Sequence, residues 1–494
     1  MEMNRRHFLK ASGSLALVSP TVSFHAKDKQ KGILVNDVHS GLNPTQVRQI
    51  ETVESLRGLQ KLIRRANRKG AKISIAGGRH AMGAQQFGTD SMLLDTRSLD
   101  RMLNFDRERG LVKVEAGIQW PALVNGLLKD QRNDKKQWGI RQKQTGADRL
   151  SIGGALAANV HGRGLKMKPI VEDVEAFELV NAKGELLTCT RKENPGLFKL
   201  AIGGYGLLGM LYSVTLRLAP RQKVRRVVEV IELKDFLPAI EKRVEDGFTY
   251  GDFQYDIDEK SDTFMRRGVF SCYRPVADDV PVPEEQKELN HEDWLKMLLL
   301  AYTDRSKIFD AYAGYYLNTN GQTYWSDTHQ MGVYVDEYRK YIDQNLGRKT
   351  PSSLMISELY APREKLTEFM LAAREILRRH KTLIIYGTIR LIEKDDETFL
   401  PWAKNRYACV IFNLLVEHTD TGKKKAANTF RDLIDLSHKL GGSYYLTYHK
   451  WARKDQVLAG YPQMPEFFRH KRAHDPDEVF QSDWYRHHVK LLDV

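Results

Sequence analysis

The sequence predicts an α+β fold, because strand-like and helix-like patterns follow one another along most of its length. Short apolar segments bounded by glycine, such as 72–76 and 111–116, have the composition of buried strands. Residues 55–68 repeat leucine, isoleucine and alanine at i, i+3 and i+4, which is the spacing of an amphipathic helix. The chain has 494 residues, of which 41% are hydrophobic, so it can form roughly two to four domains with large cores.

The charge balance and the cysteines exclude some classes of protein. With 77 Lys and Arg against 63 Asp and Glu, the formal net charge is +14, which permits contact with nucleic acid or an anionic surface. The basic residues are interspersed with acidic ones and form no run interleaved with aromatics. We therefore expect a solvated basic surface and no nucleic-acid partner. Cys189, Cys272 and Cys409 form no CxxC motif, which argues against a disulfide framework and a zinc cluster.

Residues 1–30 have the features of an export signal. Arg5 and Arg6 precede a weakly apolar run at 11–24, which is shorter than the about 20 residues of a membrane-spanning helix. This pattern resembles a twin-arginine signal. It predicts recognition by the twin-arginine export machinery and a periplasmic or other extracytoplasmic location. Phe24 fits poorly with cleavage after a small-x-small sequence, so an uncleaved membrane anchor remains open, as does a disordered basic N-terminus.

The rest of the chain divides into three regions. Residues 37–219 carry short strands punctuated by glycine, and Pro220 with the basic residues after it marks a boundary. Residues 221–443 alternate longer strands with helices, which is typical of a sheet covered by helices. The segment 444–494 is rich in aromatic residues and histidine, and we expect it to pack back onto the first region.

Glycine-rich loops are the most informative feature of the first region. The strand at 72–76 leads directly into a first glycine-rich loop, residues 77–85. Glycines there allow backbone N–H groups to approach a phosphate closely, because no Cβ intervenes. A second loop at 145–162 is dense in glycine and small residues, a strand and hairpin turn follow at 174–185, and another glycine cluster and strand occupy 203–218. One such loop equally fits an ordinary turn, but the ordered series indicates a cofactor site.

A dinucleotide fingerprint of the Rossmann type is excluded by the segment directly after its glycines. Gly204, Gly206 and Gly209 match the GxGxxG pattern, and Glu229 lies at the distance of the ribose-binding acid. A Rossmann site requires a helix directly after these glycines. Residues 211–218 instead alternate apolar and polar side chains, which predicts a strand.

Taken in this order, the segments resemble the FAD-binding domain of the vanillyl-alcohol oxidase family, also called the PCMH-type fold, over about residues 40–220. The resemblance implies a two-subdomain FAD-binding domain and a substrate (cap) domain with a helix-covered antiparallel sheet. It also implies that the first loop wraps the FAD pyrophosphate, the second follows the ribityl chain and isoalloxazine, and residues 209–211 touch the adenine end. The implied FAD-binding residues are Gly77, Gly78, Arg79, His80, Ala81, Met82, Gly83, Gln85, Gly146, Asp148, Ser151, Gly153, Gly154, Ala158, His161, Met210 and Leu211.

His80 is the residue at which the resemblance implies a covalent bond to FAD. Many members of the family join the 8α-methyl group of FAD to a histidine at this place, usually within a Gly-His-Ser triplet. Here the triplet is Arg79-His80-Ala81, so the histidine matches and both of its neighbours differ. The alternative is a hydrogen bond from His80 to a phosphate. A covalent bond would suit an exported enzyme, because a lost flavin could not be replaced outside the cytoplasm.

The C-terminal part is similar to carbohydrate oxidases of the aldonolactone and alditol type. The segment 448–454, the Tyr-Pro pair at 461–462 and the Asp-Pro pair at 475–476 occur in their order, with one extra residue inside the first motif. Those oxidases also have a Glu-Ile-Arg strand that contacts substrate. Residues 388–390 read Thr-Ile-Arg and therefore keep the arginine but lack the carboxylate, so alditol or aldonolactone specificity is left open.

The resemblance implies an FAD-dependent oxidoreductase, either an oxidase or a dehydrogenase, that oxidises an alcohol such as that of a sugar, alditol or aldonolactone. The substrate transfers a hydride to flavin N5 while a base takes the hydroxyl proton. We expect His449 to be the base, with Tyr448 as the second candidate. Arg390 or Lys454 would stabilise negative charge on the substrate oxygen or the reduced flavin. Reoxidation would use O2 or another electron carrier, and no metal is expected because the histidines of the tail have no ligand spacing.

Two other functions remain open at this point. One is a flavin-dependent reductase of C=C bonds that uses NADPH, and the other is a non-catalytic flavin-binding protein. Reduction of the flavin by an alcohol without NADPH would argue against the first. A flavin that no alcohol reduces would favour the second.

Overall fold

The computed structural model describes residues 32–332, 335 and 338–494, so the predicted export signal lies outside the described residues. Helices and strands are mixed throughout, which confirms the α+β class. Within this part of the chain no helix is both long and apolar enough to cross a membrane. Gly32–Val494 is one compact unit, and the domain boundary expected at residue 220 stays a prediction.

The glycine-punctuated first region contains four small sheets. Its strands are β1 (Ile33–Val35), β2 (Thr45–Val47), β3 (Gln49–Thr52), β4 (Ile73–Ala76), β5 (Met92–Asp95), β6 (Met102–Asp106), β7 (Leu111–Glu115), β8 (Trp138–Gly139), β9 (Val174–Val180), β10 (Leu186–Thr190), β11 (Met210–Arg217) and β12 (Ala219–Pro220). A parallel sheet has the order β3-β5-β4, and an antiparallel sheet has the order β10-β9-β11-β7-β6. Two-stranded sheets join β1 to β2 and β8 to β12.

The first helix of this region forms where the apolar spacing predicts it. The helices here are α1 (Leu56–Arg68), α2 (Trp120–Asp130), α3 (Ile152–Ala157) and α4 (Pro195–Ala201). Ser55 begins α1 as its N-cap, because its Oγ accepts a hydrogen bond of 3.2 Å from the Gly58 amide. Leu59, Ile63 and Ala66 are buried on one face of α1, in the same apolar cluster as the strands β4 and β5. The predicted helix at 55–68 is therefore confirmed.

The substrate region is organised around one eight-stranded sheet. Its strands are β13 (Lys223–Glu232), β14 (Tyr250–Tyr255), β15 (Arg267–Pro275), β16 (Thr323–Trp325), β17 (Ser352–Pro362), β18 (Ile384–Ile392), β19 (Tyr407–Glu417) and β20 (Ser443–Tyr444). The sheet is antiparallel throughout, with the order β16-β13-β15-β14-β18-β19-β17-β20.

Helices cover this sheet, as the alternating pattern predicts. They are α5 (Leu233–Glu245), α6 (His291–Thr303), α7 (Arg305–Asn318), α8 (Tyr338–Leu346), α9 (Leu366–His380) and α10 (Asp420–Lys439). Helices α5 and α7 contact β13 and β15, whereas α9 and α10 contact β17 at the other end of the sheet. The buried face of α10 includes Phe430, Leu433 and Ile434.

The C-terminal segment lies against the strand that precedes the first glycine-rich loop. Its helices are α11 (Lys454–Gly460), α12 (Met464–His474) and α13 (Asp483–Leu492). The Ile73 amide donates to the Val479 carbonyl and the Gln481 amide donates to the Ile73 carbonyl, each at 2.7 Å. Trp484 is buried and its ring lies 4.8 Å from that of Tyr205, centroid to centroid. The tail therefore contributes backbone hydrogen bonds and aromatic packing to the first region.

Candidate active site

A cavity of about 650 Å³ is lined by both glycine-rich loops and by side chains of the eight-stranded sheet. One wall consists of residues 77–82 and the second loop, with Met210 and Leu211 at its edge. A second wall includes polar side chains from β14, β17, β18 and β19. The cavity is therefore built by two sequence regions that are separate in the chain.

Close packing between the two loops explains the glycines of the first loop. A Cβ on Gly77 would overlap Ser151, and a Cβ on Gly78 would overlap the Arg149 carbonyl. The backbone of Arg79 is left-handed, with φ of 59°, which is uncommon for a residue with a side chain. Its Nη2 pairs with Asp95 at 3.3 Å, while its buried Nε has no hydrogen-bond partner. The loop thus brings its backbone and the Arg79 side chain to the wall of the cavity.

The second loop lies against Ala116, the residue after β7, and exposes small residues to the cavity. The Gly153 amide donates to the Ala116 carbonyl at 2.7 Å, and a Cβ on Gly153 would come within 2.8 Å of the Ala116 Cβ. Gly146 has φ of +82°, a conformation that glycine adopts without steric cost. The left-handed backbone accounts for Gly146, and the contact with Ala116 accounts for Gly153.

These features fit FAD. The cavity combines an accessible loop backbone, small residues and the unpartnered Arg79 donor, which is what a pyrophosphate joined to a planar ring system requires. The predicted FAD-binding residues that line it are Gly77, Gly78, Arg79, His80, Ala81, Met82, Gln85, Gly146, Ser151, Gly153, Gly154, Ala158, His161, Met210 and Leu211.

Two residues predicted to bind FAD do not line the cavity. Asp148 is buried, pairs with Lys143 Nζ at 2.5 Å and accepts a hydrogen bond of 2.9 Å from the Gly332 amide. The amide of Gly83 donates to Oε1 of Gln85 at 3.0 Å. Both residues therefore stabilise the shape of the loops, and their predicted contact with the cofactor stays a prediction.

His80 lines the cavity and is 9% exposed. Burial, with a smaller effect from His39, lowers the pKa of His80 to about 4. The imidazole is therefore neutral at pH 7 and retains a lone pair.

Of the predicted catalytic residues, His449 and Lys454 do not line the cavity. The His449 ring is buried between Phe430 and Trp451, at centroid distances of 3.3 and 4.8 Å. Burial, followed by the charge of Arg431, lowers the pKa of His449 well below its ordinary value. Lys454 pairs with Asp493 at 2.6 Å, and both side chains are exposed. The structure therefore does not bring His449 or Lys454 to the cavity, and the roles expected for them stay predictions.

Tyr448 and Arg390 do line the cavity, together with a carboxylate that the sequence motifs did not indicate. The hydroxyl of Tyr448 donates to Oε2 of Glu358 at 3.1 Å. Nε2 of His161, from the second loop, lies 2.7 Å from Oε1 of the same carboxylate. Glu358 is 1% exposed and joins the two walls of the cavity.

Neighbouring side chains keep the Glu358 carboxylate ionised. Burial alone would raise the pKa of Glu358, but the charge and hydrogen bond of His161, with smaller effects of Tyr360 and Arg390, lower it below its ordinary value. Burial and then the charge of Glu358 raise the pKa of Tyr448 well above its ordinary value. At neutral pH Glu358 is therefore ionised and Tyr448 carries its proton.

The register of the sheet explains why the missing carboxylate is found on another strand. Glu358 of β17 pairs with Ile411 of β19, and Ile411 pairs with Thr388 of β18. Glu358 and Thr388 thus lie in one row across three strands. An available indication was the carboxylate within the apolar strand pattern at 355–359, because ionised residues are rarely buried without a partner.

One group of potential metal ligands occurs among the described residues. Ligand atoms of His161, Glu358 and Cys409 lie within 4.8 Å of one another. Burial raises the pKa of the Cys409 thiol well above its ordinary value, and metals bind the thiolate form. The absence of a metal stays a prediction.

Comparison with known proteins places this geometry in context. Residues 47–190 match the family model described as an FAD binding domain. The chain is 25% identical to an L-gulono-1,4-lactone dehydrogenase of Mycobacterium tuberculosis, over 87% of this chain and 92% of that protein. It is 28% identical to the mitochondrial L-galactono-1,4-lactone dehydrogenase of Brassica oleracea, over 47% of this chain and 40% of that protein.

A third relative is the L-gulonolactone oxidase of Mus musculus, 29% identical over 37% of this chain and 39% of that protein. The relatives therefore include both dehydrogenases and an oxidase. The family match begins in β2 and ends in β10, so it includes both glycine-rich loops that line the cavity. The chain is accordingly an FAD-dependent oxidoreductase with a PCMH-type FAD-binding domain, related at low identity to the aldonolactone oxidases and dehydrogenases.

Proposed function

We propose that the protein oxidises an alcohol group of a polyhydroxylated substrate, such as an aldonolactone or alditol, and that Glu358 accepts the hydroxyl proton through Tyr448. The observation that carries this proposal is the buried, ionised carboxylate of Glu358 in the cavity, hydrogen-bonded by Tyr448. The named substrates of the relatives, which are lactones of sugar acids, support the substrate class.

The residues divide the chemistry with the cofactor. When bound, FAD supplies the two-electron acceptor for the hydride that the substrate carbon loses. His161 is hydrogen-bonded to Oε1 of Glu358, so Oε2 is the oxygen that accepts the hydrogen bond from Tyr448. As the substrate hydroxyl gives its proton to the Tyr448 oxygen, the Tyr448 proton passes to Oε2 of Glu358. Tyr448 therefore never carries the negative charge that its raised pKa disfavours.

Arg390 is positioned to stabilise the substrate oxygen as this proton leaves. Its guanidinium lines the cavity, and its buried Nε has no hydrogen-bond partner among the described residues. A charged donor that is already in place stabilises developing negative charge more strongly than water does, because it need not reorient during the reaction. The electron acceptor that completes the cycle is O2 or an electron carrier.

Anaerobic reduction of the purified protein tests this function. Polyols, aldonolactones and aromatic alcohols are added without NADPH, and we expect at least one polyhydroxylated compound to bleach the visible flavin band. A colourless, folded preparation would contradict the FAD assignment. A yellow protein that no alcohol bleaches, but that NADPH reduces, would favour a reductase, and one that neither reduces would favour a non-catalytic flavin-binding protein.

We also propose that FAD is bound covalently through His80. The neutral imidazole supports this, because bond formation to the 8α carbon requires an unprotonated ring nitrogen. His80 also lies in the first loop beside Arg79 and Ala81, on the wall of the cavity that fits FAD.

Export by the twin-arginine pathway remains a proposal, which rests on Arg5 and Arg6. In a bacterial host, the double substitution Arg5→Lys and Arg6→Lys should retain the full-length precursor in the cytoplasm, because the receptor reads the arginine pair and not the charge alone. Lys10→Arg is the matched control and should leave export unchanged. Export of the double variant at the normal level would contradict the proposal.

A further inference from the structure

Two buried arginines of the same cavity have no part in the proposed proton transfer. Arg163 follows the second loop, and Arg226 lies on β13. Together with Asp252, Tyr316 and Tyr324 they line what is called here the arginine chamber. Both arginine residues are 8% exposed, so their charges are largely removed from water.

Neither guanidinium of the arginine chamber has an anionic partner. Arg226 donates to the hydroxyls of Tyr273 and Thr319, which are neutral acceptors. Arg163 donates to the His329 carbonyl at 2.6 Å, and its buried Nε has no hydrogen-bond partner. Among the described residues, neither arginine has a carboxylate oxygen within 4.0 Å. The charge of Asp252 acts on Arg163 without an ion pair. Burial of a charge that no ion pair compensates is costly, so the chamber favours an anion.

The aromatic rings orient these arginines without neutralising them. The guanidinium carbon of Arg226 lies 4.8 Å from the centre of the Tyr324 ring and 5.2 Å from that of Tyr316. Those of Arg163 and Arg226 lie 4.8 and 5.1 Å from the centre of the same Tyr273 ring. Cation–π contacts stabilise a cation but leave its net charge unchanged.

The two arginines produce a positive electrostatic potential at the neighbouring His329. Burial, followed by the charges of Arg163 and Arg226, lowers the pKa of His329 well below its ordinary value, so this histidine adds no charge. Asp252 is the buried carboxylate of the chamber, and its Oδ1 has no hydrogen-bond partner. Glu288 is exposed at the edge of the cavity, where water screens it. Two buried positive charges thus face one buried negative charge.

We propose that the arginine chamber binds a carboxylate or phosphate group carried by the polyhydroxylated substrate, at a distance from the alcohol that is oxidised. The arginine forks provide charged donors that suit either anion. Asp252 also lines the cavity, so its carboxylate can accept a hydrogen bond from a neighbouring hydroxyl of the same substrate. This inference rests on the proposed function, which it narrows to anionic sugar derivatives.

Binding of non-oxidised anions to the FAD-loaded protein tests the inference without turnover. Inorganic phosphate and malonate are titrated while the flavin absorbance and the tryptophan fluorescence are recorded, since Trp294 also lines the cavity. We expect saturable binding that Arg163→Gln and Arg226→Gln each weaken by about 10- to 100-fold. Arg217→Gln is the control, because Arg217 pairs with Glu175 outside the cavity. No saturable binding, or equal binding by all variants, would overturn the inference.

Asp252→Asn should raise the affinity for inorganic phosphate, whereas the arginine variants lower it. This test stays decisive if an arginine variant does not fold. The substitution removes the opposing negative charge, so the variant should bind inorganic phosphate about tenfold more tightly than the wild type. Unchanged or weaker binding would overturn the inference. Folding of each variant is checked by its melting temperature and FAD content.

Matched sugars identify the anionic group. D-glucuronate and D-glucose 6-phosphate are compared with neutral D-glucose as competitors of inorganic phosphate. Preference for the carboxylate or for the phosphate assigns the group, whereas equal competition by neutral D-glucose overturns the inference. Because this readout is binding, its failure is distinct from a flavin that no alcohol reduces, which would contradict the proposed function.

Discussion

The two walls of the cavity are built in different ways. The loop wall consists of backbone and small side chains, and close contacts such as that of Gly77 with Ser151 determine its shape. The sheet wall consists of long polar side chains from separate strands, including Glu358 and Arg390. We therefore expect the loop wall to be sensitive to added volume and the sheet wall to be sensitive to changed charge.

Glu358→Gln should have the largest effect, because it removes the proton acceptor while keeping the volume. We expect substrate-driven flavin reduction to slow by about 10²- to 10⁴-fold, with unchanged FAD content, in anaerobic stopped-flow measurements. Glu375→Gln on the exposed face of α9 is the control. A rate within about threefold of the wild type would remove Glu358 from the mechanism.

Gly77→Ala tests the loop wall by volume alone. The added Cβ would overlap Ser151, and forced overpacking of this kind costs about 1–3 kcal/mol. We expect a lower melting temperature and less FAD per protein chain. Gly196→Ala on α4 is the matched control, because its Cβ would have no atom within 4 Å. Normal FAD content in Gly77→Ala would show that the loops tolerate the added volume.

His80→Ala should change the mode of FAD binding more than its presence, because the glycines and the second loop remain. After acid precipitation, the wild type should keep its flavin in the pellet and the variant should release it. Arg79→Gln is the control, since it removes the neighbouring donor but leaves the imidazole. Mass spectrometry of the His80 peptide is decisive: an unmodified mass from a yellow, active wild-type preparation would end the covalent proposal.

His449→Leu should have the smallest effect on catalysis, because this side chain does not line the cavity. We expect flavin reduction within about threefold of the wild type, and a large loss in a folded variant would restore His449 as a candidate base. The wild-type histidine stays neutral in the folded protein but takes a proton in the unfolded chain below about pH 6.5. Stability should therefore fall as the pH decreases from 6.5, and less steeply in the variant, as measured by melting temperature.

The loop wall could be predicted from the sequence because its information is local. The strand at 72–76, the glycines that follow it and the second loop are each contiguous, and the backbone requirement is visible in residue type. The exceptions are Asp148 and Gly83, whose hydrogen bonds to Lys143 and Gln85 depend on how the loops fold.

The sheet wall could be predicted only in part, because the register of strand pairing decides which of its side chains meet. Glu358 lies in the same row across the sheet as Thr388, where the motif would place a carboxylate, because both residues pair with β19. The spacing of residues along the chain does not reveal this alignment of strands. Tyr448 and His449 are neighbours in sequence, yet one faces the cavity and the other lies between aromatic rings. A motif match could not distinguish these two surroundings.

The hydrogen bonds between Ile73 and the C-terminal segment have a consequence for the order of assembly. Lys72 Nζ also donates to the Asp477 carbonyl, across 405 residues of sequence. The strand β4 pairs with β5 on one side, and it gains its second neighbour only when the ribosome has released almost the whole chain. Closing so long a loop is slow. We therefore expect FAD to be captured only after translation, because a chain truncated before Val479 would lack these contacts beside the first glycine-rich loop.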